Sequence, residues 1–244
     1  DEINVHRFVF AHRTRGLAEL LGKDQAYTIL RQCVRFCVSH EKDRIKYKQP
    51  ESPIRALMPK LLDQYKLASP RLGNRDPGDA AVEELAKTIY NGPPAKSAEA
   101  VAGALAEGIS PEVVGEAISL ASNMLALRQG ADRWRAHGDS PGVHATDATN
   151  AWRNMARILP APQAASGLIV AGYHVAVHTP FKTESYPTAE HRDLVKTKDS
   201  EKLLDAAEDA VRHNEQGRAA AAIALYGEGG HDPQAVFEIG RAHV

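Results

Sequence analysis

Val5-His6-Arg7-Phe8-Val9-Phe10-Ala11-His12-Arg13-Thr14-Arg15-Gly16-Leu17-Ala18-Glu19-Leu20-Leu21 is a run of helix-compatible residues with no alternation of apolar and polar positions. The run has a second copy. Sliding the sequence over itself by 138 positions, without a gap, sets Val5 on Val143, His6 on His144, Arg15 on Arg153, Ala18 on Ala156 and Leu21 on Leu159. The match continues with Gln25 on Gln163, Ala26 on Ala164, Leu30 on Leu168 and His40 on His178, several times the number of identities that chance supplies. A weaker match at an offset of 122 sets Ala100 on Ala222, Gly108 on Gly230, Pro111 on Pro233, Val114 on Val236 and Glu116 on Glu238. The pattern of helix, Gly, cap, Pro and helix therefore occurs twice. The expectation is an all-α fold of two repeat-related helical halves, residues 1–129 and 130–244, packed about a pseudo-twofold axis as one compact domain. The period is too long, and the copies too few, for a solenoid.

Outward from these copies, nearly every segment is rich in Ala, Leu, Glu, Lys and Arg. Helices are expected at 5–21, 24–41, 53–67, 79–90, 96–107, 111–128, 143–158, 163–178, 200–214, 217–226 and from 233 onward. Ser110 before Pro111 and Asp232 before Pro233 offer a capping oxygen and a proline suited to a first turn. The stretch from Thr179 to Asp199 has few apolar residues and no period, and is expected to be a mobile loop or lid.

Composition narrows the function. The 244 residues carry 30 Lys and Arg against 31 Asp and Glu, a formal net charge of -1. That balance supplies no general basic stripe for nucleic acid, so no nucleic-acid partner is expected. No apolar run reaches the roughly 18 residues of a membrane span. A soluble protein is expected, in the cytoplasm by preference and with oligomers allowed. The chain starts at Asp1 and still reads as helix at Val244, so it is expected to be cut at one or both ends. Cys33 and Cys37 are too few for a disulfide framework.

The histidines carry the candidate chemistry. In each copy the first helix begins with one and the second ends with one. An antiparallel hairpin brings those ends together, so His6 is expected beside His40 and His144 beside His178. If the hairpins face each other, four imidazoles, Arg15 and Arg153 converge on one pocket, with Glu41 and Asp147 nearby. Such a cluster could bind a metal or move protons. It could equally consist of rings that cap helix ends. His174 and His178 share a helix face at ligand spacing, which makes His40, His144, His174 and His178 the candidate metal ligands. Position 174 corresponds to Phe36 in the first copy, and His12 to Asn150. Cys33, Cys37 and His40 lie on one stripe that could supply three ligands to a soft metal, but Cys33 and Cys37 correspond to Ala171 and Val175, which favours small fillers at a helix contact. Arg15 and Arg153 could clamp an anionic substrate or pair with an acid such as Glu19. The basic run Lys42 to Lys48 reads as a solvated helix end. A GxGxxG turn after a strand, a Walker loop, a covalent haem motif, paired ExxH motifs and a GxSxG elbow are all missing from the sequence.

His6-Arg-Phe-Val-Phe-Ala-His12-Arg-Thr-Arg15-Gly-Leu and Val143-His144-Ala-Thr-Asp-Ala-Thr-Asn-Ala-Trp-Arg153 resemble the His-rich segments of the questin oxidase-like family, and Ala104 to Ile118 is similar in type to its helical connector. The spacing from His6 to His12 is one residue shorter than in that family. The resemblance implies oxygen insertion into a ring ketone of a polyketide quinone, with His6, His12, Arg15, His144 and Arg153 as the matching catalytic positions. The expected activity is an oxygenase-like oxidoreductase acting on a small, apolar or aromatic substrate, using a transition metal (iron, copper or zinc), a non-covalent haem or acid–base groups alone. The alternative is a non-catalytic helical scaffold or subunit with interfacial histidines.

Overall fold

The computed structural model describes residues 5–69, 71–128, 141–179 and 187–242. Twelve helices lie among them: α1 (Val5–Leu21), α2 (Lys23–Lys46), α3 (Ile54–Gln64), α4 (Asp79–Asn91), α5 (Pro94–Ala106), α6 (Pro111–Arg128), α7 (Pro141–Ala156), α8 (Ala161–His178), α9 (Ala189–Asp193), α10 (Ser200–Arg212), α11 (Gln216–Glu228) and α12 (Gln234–Ala242). The only β pairing among the described residues is an isolated bridge between Arg75 and Ile109. The protein is all-α.

The chain forms two compact units, Asp1–Lys182 with α1 to α8 and Thr183–Val244 with α9 to α12. The boundary expected between 129 and 130 lies outside the described residues. Helices from either side of it share one core, because α7 packs on α6 and α1, and α8 packs on α5 and α6. The repeat-matched segments are helices in the same order. The turns after α5 and α11 each place a glycine at positive φ, Gly108 at 84° and Gly230 at 71°, where residues with a Cβ are strained.

In the first unit α8 is the helix the others surround. Its sequence is apolar on every side, and such a helix is stable only when buried all round. Ala165, Leu168, Ile169, Ala171, Val175 and Ala176 are buried, and α3, α4, α5, α6 and α7 all pack against it. Small residues set the approach of α5. A Cβ on Gly172 would stand 2.7 Å from Val101 Cγ2, inside van der Waals contact. The buried Ser97 hydroxyl of α5 donates to the Ile89 carbonyl at 3.0 Å, so it leaves no unpaired group in the core.

In the second unit, Asp199 accepts from the Lys202 amide at 3.0 Å and starts α10, whose Leu203, Ala207 and Ala210 are buried. The Tyr226 hydroxyl donates to the Asp232 carbonyl at 3.1 Å and ties the end of α11 to the turn that follows. The segment expected as a loop from Thr179 to Asp199 contains a helix. Residues 180–186 of it lie outside the described residues, but α9 is started by a capping box in which Thr188 and His191 satisfy each other's amides. The carboxylate of Glu228 holds Arg192 through two bonds of 2.8 and 3.0 Å. A helix of five residues is too short to show a period, which is why the pattern does not reveal it.

Gly172→Ala is expected to lose about 1–3 kcal/mol of stability through overpacking against Val101. Helix propensity alone predicts a gain of about 1 kcal/mol. Chemical denaturation of the single variant and of Gly172→Ala with Val101→Ala checks this, because removing the Val101 methyls should restore part of the loss.

Candidate functional site: a histidine cluster on α1, α7 and α8

The pairing of α1 with α7 creates the site. Phe8 stacks on Trp152 with ring centroids 4.9 Å apart. Elsewhere along the same pair of helices, His6 meets His144 edge to face, at 5.6 Å. The hairpin of α7 and α8 then brings in the end of α8. His174 and His178, one turn apart, pack edge to face at 4.8 Å, and the His174 ring lies 5.4 Å from that of Trp152.

These rings form a gradient of burial. His6 is exposed, His144 and His178 are half-buried, and His174 is only 3% exposed. The Nε2 of His174 is buried with no hydrogen-bond partner among the described residues. Burial, followed by the charges that His178 and His144 would carry, pushes its pKa down to about 3. The imidazole is therefore neutral at physiological pH, with a nitrogen that nothing described satisfies. His12, half-buried further along α1, is also held below its ordinary value, first by burial, then by Arg13 and Arg15, with Asp147 opposing them.

The other expected members have contacts of their own. His40 packs on Phe36 of its own helix at 4.4 Å, and the neighbouring Glu41 bonds Arg7, which joins the end of α2 to the start of α1. Arg15 pairs with Glu19 at 2.7 Å, one of the two roles its sequence context allowed. Arg153 lies nine positions after His144, which at 3.6 residues per turn puts it on the opposite side of α7. Its stem crosses Gly115 of α6, and its guanidinium reaches Glu112 at 2.8 Å. Arg157 binds the same carboxylate at 2.6 and 2.7 Å, and the two arginines hold Glu112 down to about 2, with the Arg157 hydrogen bond the larger cause. Glu41 gathers Arg44, Arg55 and Arg7 in the same way and also lies at about 2, the bond from Arg55 contributing most. Cys33 and Cys37 are free and half-buried; burial, ahead of Cys37, pushes the Cys33 thiol up, so it sits as a neutral filler against α1.

Among the described residues no three His, Cys, Asp or Glu side chains are placed together as a metal ion requires. The expected set His40, His144, His174 and His178 is thus not such a group. His174 Nε2 remains as a single ligand, which is short of the three or four that zinc takes from protein, though one histidine can serve haem iron.

Trp152 and Phe8 belong to the cluster and were not singled out from the sequence. Trp152 corresponds to Thr14 in the first copy, so a search for residues shared between copies passes over it. A groove of about 740 Å³ in the Thr183–Val244 unit was also missed; His191, Lys196, Lys202, Gly217 and Arg218 are among its lining. Comparison with known proteins finds no matching family model, no matching curated protein and no matching solved structure.

Two pH windows test these assignments. The folded value of His174 lies below the ordinary 6.5, so the unfolded chain takes up the proton first. Its contribution to stability is complete above about 6.5 and is lost as pH falls toward 3. His174→Phe, the residue of the other copy, is expected to flatten the fall of melting temperature across that window. Glu112→Gln acts lower. The carboxylate's stabilisation is complete above about 4.5 and is lost as pH falls toward 2, so parent and variant melting temperatures should differ at neutral pH and converge in that range.

Proposed function

We propose that the chain is an oxidoreductase of oxygenase type that uses the His6, His144, His174 and His178 cluster as acid–base groups on a small, apolar or aromatic substrate. The observation that carries this reading is the neutral, buried His174, with an unsatisfied Nε2, at the inner end of a series of imidazoles that reaches solvent at His6. The burial that keeps His174 neutral makes it a poor base, so its role is to hydrogen-bond the substrate through the open Nε2, while the proton goes to the less buried His144 or His178 and is passed outward. The resemblance of the His6 and His144 segments to the questin oxidase-like family supports the choice of oxygen chemistry.

The step that fits such a site begins with transfer of a C–H or O–H proton from a phenol or enolisable ketone to an imidazole. The resulting carbanion or enolate adds dioxygen, the oxidant, to form a C–O bond, and the peroxide anion takes the proton back to give a hydroperoxide. Trp152 and Phe8 supply an aromatic wall beside the histidines. Arg15 and Arg153, held by Glu19 and Glu112, have no part in this step.

Oxygen uptake by the purified protein with a panel of polycyclic phenols and enolisable aryl ketones tests the proposal. Uptake is expected with at least one of them, and His144→Ala and His178→Ala should each lower it by a factor of about 100 or more, the usual range for an acid–base group. The helical circular dichroism should stay at the parent level. Absence of uptake across the panel, or variants that turn over as fast as the parent, would overturn the assignment.

A further inference from the structure

The hairpin of α1 and α2 is built unlike the rest of its unit. In α2, a helix of 24 residues, no residue is buried. Tyr27, Leu30, Val34, Val38 and Ile45 are all exposed, with Tyr27 at 70%, Val34 at 63% and Ile45 at 65%. At 100° per residue these five fall within an arc of about 80°, so they form one straight apolar stripe along the helix. The exposure continues around the turn onto α1, where Leu17, Leu20 and Leu21 are exposed, Leu20 at 81%. Contiguous exposed apolar surface of this size marks a contact site.

Charge identifies what the site contacts. Arg31, Arg35, Lys42 and Lys46 are exposed and fall in a row directly beside the stripe. Glu41, the one acid within the stripe's arc, between Val38 and Ile45, is occupied by Arg7, Arg44 and Arg55. Between residues 5 and 48 there are ten Lys and Arg against four Asp and Glu, in a chain whose formal net charge is -1. A basic amphipathic helix with its apolar side exposed has the composition of one that lies on an anionic bilayer. A second copy fits less well. A twofold contact between two antiparallel α2 stripes would set basic row against basic row. A single partner helix would cover the α2 stripe and leave the leucines of the α1 end in water. Among the described residues no helix is long and apolar enough to cross a membrane, so the contact is one that lies on the surface.

We propose that the α1–α2 hairpin docks the protein on anionic phospholipid membranes. The apolar stripe and the leucines at the turn enter the headgroup boundary, while Arg31, Arg35, Lys42 and Lys46 meet lipid phosphates and carboxylates.

Co-sedimentation of the full chain with phosphatidylcholine vesicles, with and without phosphatidylserine, tests this. Binding is expected with phosphatidylserine alone, and should fall as salt is raised. Arg31→Ala with Arg35→Ala should weaken it roughly thirty-fold at low salt. Tyr27→Ser with Val34→Glu, and separately Leu20→Asp, should weaken it at least about ten-fold. All these positions are exposed, so circular dichroism and melting temperature should match the parent. Failure of the parent to bind anionic vesicles at low salt, or undiminished binding by the Tyr27/Val34 variant, would overturn the proposal. So would light scattering that shows a dimer, split by Val34→Glu, together with no vesicle binding: the stripe would then belong to a second copy.

Discussion

Burial of α8 on all sides is the constraint on which the first unit depends. A helix with no polar face has to be surrounded, and α3 to α7 supply the surroundings. Small side chains make the fit close, as at Gly172 against Val101, where there is no space for one more carbon. The candidate site inherits its character from this arrangement. His174 is neutral because the helix that carries it is in the core, not because a specific partner demands it. Burial of an imidazole with an unsatisfied nitrogen costs stability, and such costs recur where a site has been prepared for chemistry.

Carboxylates determine which cations are available elsewhere. Glu112 collects Arg153 and Arg157, and Glu41 collects Arg7, Arg44 and Arg55. Pairs this close to solvent add little stability. Their effect is selective: Arg153, which the sequence placed beside the histidines, is held on α6 by Glu112, while Arg31, Arg35, Lys42 and Lys46 remain on the exposed side of α2. The same hairpin thus offers an aromatic and histidine-bearing side to α7 and an apolar, basic side to its surroundings.

Much of the local structure was legible in the residues. Helix formers, prolines at first turns and glycines after last turns locate α1 and α6 to the residue and most other helices to within a few positions. The pairing of His174 with His178 follows from one turn of helix, which is a local relation. The place of His40 does not. Its expected approach to His6 rests on the antiparallel pairing of α1 with α2, whose ends the Arg7–Glu41 bond brings together, and helix spacing alone does not set how the two helices are rotated. Trp152, Phe8 and the α9 capping box escaped for related reasons: the first two become partners only across an interhelical contact, and the third is too short to have a period.

What the sequence by itself determined is the helical class, the order of the helices, and the face that His174 and His178 share, because each follows from backbone preference and a 3.6-residue turn. Only the tertiary structure decided that His6 meets His144, that His174 is buried and neutral, that Arg153 serves Glu112, and that no residue of α2 is buried. Those outcomes depend on which helices share the limited space around α8. That competition is settled by packing across the whole unit and leaves no mark in any single segment.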